Sequence, residues 1–417
     1  MPKMSKQTAI ILILVVFLGA LGALVYFYFT FNTVSRPQAP FSTTTDAYDP
    51  FGTRAADNSF ATTTNVVPVD TTPVVTLGPD KLRQISAEPV SGFSIIDNTK
   101  TKQTYIHYIL RANGNIYEAY DNSPEQKRLS ITTIPKVYES QWLPDGVRLV
   151  IRYLKDSVEN VQTFSVKINP ATTTLNTFEG GVDGNHLPEN IGALAINPAG
   201  DKLFYLTNSL NGVSGFISKP DGLNKKLLFE SPLIEWAVSW PKEDTITMTT
   251  KPAGSISGFM YFLNSANGNF TRVLGNIRGL TTKTNKTATE VLYSDSVRGT
   301  PKLYLYTVKT GESKLLPWST FPEKCLWSNT DAKIVYCAVP KAFETGDYPD
   351  LWYQGLTSFT DDIWMINTQT MAATLVYDIQ KETNNNIDIS EMQIDKNDSY
   401  LYFTNKIDLT FWSLKLK

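Results

Sequence analysis

The sequence is poor in the residue types on which metal-dependent and thiol-dependent enzymes rely. Its 417 residues include two cysteines, Cys325 and Cys337, and two histidines, His107 and His186. A zinc site needs three or four thiolate, imidazole or carboxylate ligands close together. The small number of Cys and His residues therefore argues against a zinc site. The sequence also has no phosphate-binding loop, no His-Glu-x-x-His helix and no Gly-x-Ser-x-Gly nucleophile turn. We therefore expect no cofactor and find no motif for catalysis.

The sequence also has no excess of positive charge. The 38 Lys and Arg residues are balanced by 40 Asp and Glu residues, which gives a formal net charge of −2. Proteins that bind nucleic acid through its phosphates carry clusters or stripes of Lys and Arg. The charge balance therefore argues against nucleic acid as a partner.

One apolar run is long enough to cross a membrane. The 23 residues from Ala9 to Phe31 contain no charged side chain, and an α-helix of about 20 apolar residues spans the hydrocarbon core of a bilayer. We therefore predict a transmembrane helix that anchors the chain in the cell membrane. A cleaved signal peptide, with small residues near Ala20, is the alternative. Either segment would export the rest of the chain.

The charges around this run predict its orientation. Lys3 and Lys6 precede it and Arg36 is the only basic residue close behind, so the positive-inside rule places residues 1–8 in the cytoplasm and the remainder outside. Residues 32–80 are rich in Thr, Pro, Ser, Ala and Asp and have few large apolar side chains. Because such a composition buries too little surface to offset chain entropy, we predict a disordered stalk.

Beyond residue 80 a short turn motif recurs along the chain. Its clearest copy runs from Trp142 to Gly146 (Trp-Leu-Pro-Asp-Gly), in which Pro144 fixes φ and Gly146 takes a positive φ. Six landmark positions begin such a copy: Trp142, Ile196, Trp240, Thr284, Trp327 and Ile394. An apolar triplet begins seven residues after five of these positions, and one residue earlier after Trp240. The copies therefore mark a sequence repeat.

The period of the repeat predicts the fold. The landmark positions are 54, 44, 44, 43 and 67 residues apart, and a unit of about 40–45 residues with four short strands is typical of a β-propeller blade. In the first clear unit the predicted strands are Val137–Trp142, Arg148–Leu154, Val161–Ile168 and Thr174–Phe178. Their apolar residues show little alternation, as in strands that are covered on both faces. Solenoids, the competing repeat fold, have shorter or helical repeats.

The two ends of the repeat region predict how the ring closes. The last unit has one strand too few, and an isolated strand, Leu82–Ser86, precedes the first unit. Placing that strand on the outer edge of the last blade joins both ends of the region in one sheet. One further blade fits between Pro89 and Ile134. We therefore predict an all-β, seven-bladed propeller over residues 81–417, with six blades as the alternative.

Two of the landmark spacings, 54 and 67 residues, exceed the others, and each excess falls in one connection between strands. Gly180–Pro188 is rich in Gly and Asp and is predicted to be a surface loop that leaves His186 exposed. Pro340–Thr360 carries an aromatic cluster, and long loops with Tyr and Trp often bind partners. In the alternative interpretation, these rings fold back and fill a blade edge or the central channel. The candidate partner-binding residues are Tyr348, Asp350, Trp352, Tyr353 and Phe359.

The two cysteines flank the turn at Asn329–Asp331 in one predicted hairpin. Counting outward from the turn places Cys325 and Cys337 opposite each other, or one residue out of step, on adjacent strands, where a disulfide can form. Export would place them in a compartment where such a bond persists. Because the enclosed loop is short, the bond is predicted to add a few kcal/mol at most. Two buried, unlinked thiols are the alternative.

The turn motif resembles that of a known family. Trp142–Gly146 and its echo Asn197–Gly200 (Asn-Pro-Ala-Gly) are similar to the repeats of TolB-like and related WD-like β-propellers, over about residues 82–417. The copies at Trp240 and Trp327 keep the Trp and lose the Gly. TolB-like proteins are envelope proteins that mediate protein–protein contacts, so the resemblance implies a bacterial cell envelope setting. TolB itself carries an additional α/β domain and no retained anchor, and neither pattern is matched here.

The lack of a catalytic motif and the resemblance both favour binding over catalysis. We predict a membrane-anchored, extracytoplasmic propeller that acts as a non-catalytic scaffold for an envelope protein or polymer. The alternative is an envelope enzyme that acts on a glycan or peptide through carboxylates that converge at the channel mouth. An exposed apolar patch at Tyr348–Phe359 would favour binding, whereas three or more carboxylates or His186 in a pocket would favour the enzyme.

Overall fold

The structure is a computed structural model and describes residues 81–98, 103–155, 160–169, 180–296 and 299–417. The predicted cytoplasmic segment, transmembrane helix and stalk all fall within residues 1–80 and lie outside the described residues. Within the described ranges, no helix is both long enough and apolar enough to cross a membrane.

The described residues form seven antiparallel sheets of four strands each. The strands in chain order are β1 (Leu82–Ser86), β2 (Val90–Asn98), β3 (Gln103–Leu110), β4 (Ile116–Tyr120), β5 (Gln126–Arg128), β6 (Val137–Trp142), β7 (Arg148–Leu154), β8 (Val161–Asn169), β9 (Gly181–His186), β10 (Ile191–Ile196), β11 (Leu203–Ser209), β12 (Gly212–Ser218), β13 (Lys226–Ser231), β14 (Trp236–Lys242), β15 (Thr245–Thr250), β16 (Ser257–Asn264), β17 (Phe270–Arg278), β18 (Thr282–Thr284), β19 (Glu290–Asp295), β20 (Lys302–Thr307), β21 (Glu312–Leu315), β22 (Cys325–Trp327), β23 (Ile334–Pro340), β24 (Asp361–Asn367), β25 (Ala373–Tyr377), β26 (Ile389–Ile394), β27 (Tyr400–Asn405) and β28 (Phe411–Lys415). The helical segments of the described residues are a 3-10 turn (Pro322–Lys324), α1 (Asp350–Tyr353) and α2 (Ile379–Thr383).

Each sheet is one blade of a β-propeller. Blades 1 to 6 consist of four consecutive strands each, beginning with β2, β6, β10, β14, β18 and β22, and blade 7 combines β26, β27 and β28 with β1. The first strands of blades 1 and 2, 3 and 4, 6 and 7, and 7 and 1 contact each other, so the first strands lie closest to the axis of the ring. The all-β, seven-bladed propeller predicted from the sequence is therefore confirmed.

The recurring turn follows the innermost strand. All six landmark positions lie at or near the C-terminal end of the first strand of a blade, in blades 2 to 7. In blade 2, Gly146 has φ 65°, and a Cβ there would lie 2.2 Å from Cγ1 of Ile96 in blade 1. In blade 3, Gly200 has φ 69°, and a Cβ would lie 2.6 Å from Cδ of Pro144. Glycine is needed at both positions because the backbone conformation and the neighbouring blade both exclude a side chain.

The apolar cores lie between blades. Ile109 and Ile116 of blade 1 pack in one fully buried cluster with Leu149 and Ile151 of blade 2. Every other pair of neighbouring blades shares a cluster of the same kind. A central strand therefore contacts a core on each face, which explains why its apolar residues do not alternate with polar ones.

The ring is closed by β1. This strand pairs antiparallel with β28, so that Leu82 lies opposite Leu414. Arg83 also donates hydrogen bonds to the backbone oxygens of Ser123 (2.7 Å) and Tyr120 (2.5 Å) in blade 1. The closure inferred from the sequence is thus present, and β1 contacts the blades on both sides of the junction.

Blade 2 departs from the sequence prediction in its outermost strand. Its fourth strand is Gly181–His186, within the stretch that was predicted to be a surface loop, so that prediction was wrong. The predicted strand Thr174–Phe178 lies outside the described residues. An outermost strand is paired on one edge only and needs little burial, and the side chains from Asp183 onward are exposed. Such a strand forms through backbone hydrogen bonds and leaves no apolar pattern in the sequence.

Candidate functional site

A cavity of about 750 Å³ lies on the axis of the propeller. Its walls come from the first strands of blades 1, 2, 3, 4 and 7, namely β2, β6, β10, β14 and β26. We call this space the channel cavity, because the first strand of each blade is the innermost one. The lining residues discussed below are Glu139, Trp142, Ser239, Trp240, Glu391 and Gln393.

β-Bulges shape the strands that line the channel cavity. In all five blades the pairing of the first strand with the second shifts register. In blade 1 the irregularity includes Gly92, where a Cβ would lie 2.3 Å from Oγ of Ser140 in blade 2. In blade 7 it includes Glu391, a non-glycine residue with φ 50°. A bulge leaves a residue unpaired and re-aims its side chain. The bulged residue Glu391 lines the cavity.

One of the two carboxylates in the cavity wall is fixed by its neighbours. Oε2 of Glu139 accepts a hydrogen bond of 2.7 Å from Nη1 of Arg152, and Oε1 accepts one of 3.0 Å from Nε2 of Gln141. Arg152 also donates to the backbone oxygen of Ile191 in blade 3. The Arg152 side chain is 12% exposed and the Glu139 side chain 32% exposed, so this ion pair is partly sheltered from solvent. Glu139 is therefore a charged but satisfied part of the wall.

The second carboxylate, Glu391, has no such partner. No described residue donates a hydrogen bond to it, and its side chain is exposed to the channel cavity. The surrounding channel wall withdraws Glu391 from bulk water, which is the main reason why its pKa is raised to about 7. The negative charge of Glu139 raises this pKa further, and the guanidinium of Arg111 opposes the shift. Glu391 therefore changes its protonation state near neutral pH and is free to accept a ligand.

The candidate partner-binding residues of Pro340–Thr360 are divided between the interior and the surface. Tyr348, Trp352 and Phe359 are 1%, 4% and 6% exposed, and they form one cluster with Phe321. The rings of Phe321 and Trp352 are stacked with centroids 5.0 Å apart. The interpretation in which the rings fold back therefore describes these three residues. They form no exposed aromatic patch.

The other two candidate residues lie closer to the surface. The Asp350 carboxylate accepts a hydrogen bond of 2.5 Å from the backbone N–H of Gly254, which ties the connection to blade 4. Tyr353 is 41% exposed, and its hydroxyl donates to Oε1 of Glu323. Partner binding through Asp350 and Tyr353 stays a prediction.

The cysteines and histidines occupy separate parts of the molecule. Cys325 in β22 lies directly opposite Cys337 in β23, and a buried disulfide joins them across Cα atoms 4.1 Å apart. His186 is exposed on the outermost strand of blade 2. His107 is buried in blade 1, with Nδ1 2.7 Å from the backbone oxygen of Gly146. Among the residues that the structure describes, no group of three or more His, Cys, Asp and Glu is placed to hold a metal ion.

Sequence reasoning missed both carboxylates of the channel cavity, although a signal was available. Glu139 lies three residues before the landmark Trp142, and Glu391 lies three residues before the landmark Ile394. Because blades are related by rotation about one axis, equivalent repeat positions on innermost strands point to the same region of the channel. Two acidic residues at one repeat position therefore predict a meeting point on the axis.

Comparison with known proteins supports the fold and gives no family. No family model and no curated protein matches the chain. Among solved structures, an oligogalacturonate lyase in complex with manganese is 12% identical with a TM-score of 0.50, and the match covers 79% of this chain and 97% of the lyase. An oligogalacturonate lyase from Vibrio parahaemolyticus is 10% identical with the same TM-score and the same coverage. TolB from Acinetobacter baumannii is 12% identical with a TM-score of 0.42, covering 70% of this chain and 64% of TolB.

Proposed function

We propose that this protein is a non-catalytic binding propeller, held outside the cell membrane by residues 9–31, which captures an envelope protein or polymer at its channel cavity. The observation that carries the proposal is the unpaired carboxylate of Glu391 in a cavity of about 750 Å³. A cavity of this size accommodates a side chain or a short chain segment of a partner.

The chemistry of the cavity wall favours a cationic group on the partner. Glu139 is already paired with Arg152, so Glu391 is the carboxylate with bonding capacity to spare. A lysine or arginine side chain placed beside Glu391 would favour its ionised form and offset the free-energy cost of removing that charge from bulk water. Trp142 and Trp240 contribute to the same wall, and aromatic rings are frequent anchors for such side chains.

Site-specific photo-crosslinking in intact cells tests this proposal. A photoreactive residue at Ser239, which lines the channel cavity, is expected to capture a partner. The same residue at Glu312, exposed on the outermost strand of blade 5, is the control. Glu391→Gln should weaken capture at Ser239 several-fold, and Glu312→Gln should leave it unchanged. Equal capture at both positions, or capture indifferent to Glu391→Gln, would contradict the proposal.

The predicted anchor is tested separately with the full chain. We expect the protein to sediment with membranes, and its exposed propeller lysines, such as Lys226, to react with a membrane-impermeant amine reagent added to intact cells. Deleting residues 9–31 should release the protein from the membrane fraction. A protein that stays in the soluble fraction with the segment intact would contradict this part of the proposal.

An envelope enzyme is the second candidate, and one observation favours it. Glu391, with its pKa raised to about 7, has the protonation behaviour of a general acid, and Glu139 supplies a second carboxylate nearby. Pairs of carboxylates are the usual catalytic groups of glycoside hydrolysis. The test is turnover of a glycan and peptide library that includes acidic oligosaccharides, since two similar solved structures are oligogalacturonate lyases. Turnover that is lost in Glu391→Gln would replace the binding proposal.

A further inference from the structure

Three charged side chains lie fully buried between blades 6 and 7. Lys324 ends the 3-10 turn before β22, Asp361 begins β24, and Asp388 directly precedes β26. Nζ of Lys324 lies 2.6 Å from Oδ2 of Asp361 and 2.5 Å from Oδ1 of Asp388, and all three side chains are 0% exposed. Burying an ammonium with two carboxylates is unfavourable, because their mutual attraction does not fully replace the lost hydration.

Aromatic rings enclose this cluster. Nζ of Lys324 lies 5.1 Å from the ring centroids of both Trp352 and Phe359. Nζ of Lys406 also lies 5.4 Å from the Trp352 ring centroid. The amine and the two carboxyl groups therefore meet in an apolar environment, where neutral forms compete with ionised ones more effectively than in water.

The two carboxyl groups differ in their hydrogen bonds. Asp388 is saturated, since its oxygens accept from Lys324, from Nε1 of Trp352 (2.9 Å to Oδ2) and from the backbone N–H of Phe359 (3.1 Å). Oδ2 of Asp361 accepts from Lys324 and from the backbone N–H of Ile389 (2.7 Å), whereas its Oδ1 is buried with no partner among the described residues.

This difference assigns separate roles to the two carboxyl groups. Asp388 receives donors on both oxygens, and its Oδ1 lies 2.5 Å from Nζ of Lys324, so it is placed to take a proton from the ammonium. Burial raises the pKa of Asp361 to about 6, an effect that Lys324 opposes and Asp388 reinforces. Asp361 is thus a carboxyl group whose neutral form burial favours, and its Oδ1 has no hydrogen-bond partner among the described residues.

We infer that Lys324 and Asp361 form an intramolecular isopeptide bond, with Asp388 as the base. Asp388 takes a proton from the Lys324 ammonium, and the amine nitrogen then attacks Cγ of Asp361. The bond from Cγ to Oδ1 breaks, and this oxygen leaves as water with the carboxyl proton and one proton from the nitrogen. Asp388 keeps the first proton. The reaction needs no oxidant, reductant or further reactant, and it replaces buried ions with a neutral amide.

The bond would staple two strands that are not paired with each other. Lys324 precedes β22 and Asp361 begins β24, with β23 between them in the sheet. The isopeptide bond would close a loop from Lys324 to Asp361, in addition to the loop that the disulfide between Cys325 and Cys337 closes. Both cross-links reduce the conformational freedom of the unfolded chain. An exported propeller would gain a cross-link that reducing agents leave intact.

Mass spectrometry of the full chain tests this inference. After reduction and alkylation, the protein should be lighter than its calculated mass by one water molecule. Trypsin should yield a branched peptide in which residues 315–333, uncleaved at Lys324, are joined to residues 342–381. Recovery of the linear peptides 315–324 and 342–381 without the branched peptide would overturn the inference, and so would a branch at Asp388.

The protein contains its own control for this chemistry. Lys341 also lies between two carboxylates, 2.9 Å from Oδ2 of Asp362 and 2.7 Å from Oδ1 of Asp378, but its side chain is 30% exposed. We expect no amide there, because these three side chains reach water, which solvates their charged forms. Asp361→Ala should give only linear peptides. Asp388→Asn retains both reacting groups, the Lys324 amine and the Asp361 carboxyl group. An unchanged yield of branched peptide in this variant would therefore refute the role of Asp388 as base.

Discussion

The closing strand β1 provides a quantitative test of the ring. Leu82 is 5% exposed and packs into the core between blades 6 and 7, whereas Ile85 is 2% exposed and packs into the core between blades 7 and 1. Replacing both by Ala leaves the backbone pairing with β28 possible and removes apolar contacts on the two sides of the closure. The double variant therefore tests whether burial by β1, rather than its mere presence, holds the ring together.

The expected loss of stability follows from burial. Truncating a buried Leu or Ile to Ala costs about 2–5 kcal/mol. Because Leu82 and Ile85 contribute to different clusters, the two losses should add, giving about 4–10 kcal/mol. That sum is comparable with the whole free energy of unfolding of a typical domain, about 5–15 kcal/mol. The double variant should therefore unfold at a much lower denaturant concentration, and each single variant should lie between it and the wild type.

The measurement is denaturant unfolding followed by tryptophan fluorescence and circular dichroism. The matched control is Leu227→Ala, the same chemical change on the outermost strand of blade 3, where Leu227 is 48% exposed. It should cost less than about 1 kcal/mol, since surface substitutions away from packed cores have small effects. If Leu82→Ala with Ile85→Ala unfolds at the same midpoint as Leu227→Ala, then burial by β1 does not hold the ring closed.

Three further predictions concern charges and the disulfide. The hydrogen bond from His107 lowers the pKa of Glu118, so Glu118→Gln should destabilise the protein at pH 7, and its difference from the wild type should vanish as the pH falls below about 4; a constant difference in pH-dependent unfolding would contradict this. The pKa of Glu391 is raised to about 7, so the folded state binds this proton more tightly than the unfolded state does. Glu391→Gln should therefore be more stable than the wild type above pH 7 and equally stable near pH 4. The difference should be at most about 1 kcal/mol, because the side chain reaches water in the channel. Replacing Cys325 and Cys337 by Ser should cost about 2–3 kcal/mol in chemical denaturation, whereas an unchanged midpoint would show that the disulfide adds nothing.

The propeller could be predicted because one turn recurs after the first strand in blades 2 to 7. The landmark residues sit at the ends of innermost strands, and turns such as the one at Gly146 need a positive φ that leaves a mark in the sequence. The closing strand Leu82–Ser86 was also predictable, since a missing strand at one end and an extra strand at the other have one natural arrangement in a closed ring. The outermost strand Gly181–His186 was not, because exposed edge strands carry no apolar pattern.

The candidate site was hidden for a different reason. Glu139 and Glu391 belong to blades 2 and 7, and they face the same cavity only because the ring closes between them. Whether Trp352 faced solvent or the interior was equally undecidable from composition. Its burial depends on stacking with Phe321, which lies in a different connection. Local sequence specifies strands and turns, whereas these contacts depend on where distant blades are placed.

The contacts around the turns explain why the repeat is strong in backbone and weak in side chains. The turn of blade 2 presents the oxygen of Gly146 to His107 of blade 1, and the turn of blade 3 presents the oxygen of Gly200 to Arg148 of blade 2 at 3.2 Å. Between blades 6 and 7, Asn329 donates to backbone oxygens instead. Three chemically different side chains thus donate hydrogen bonds at the same kind of contact between blades. The repeat therefore indicates where a turn lies but does not specify which residue type donates the hydrogen bond. Residues fixed by such junctions report on the fold. A charged residue at a repeat position that makes no contact of this kind between blades is a better candidate for a functional residue, and Glu391 is such a residue.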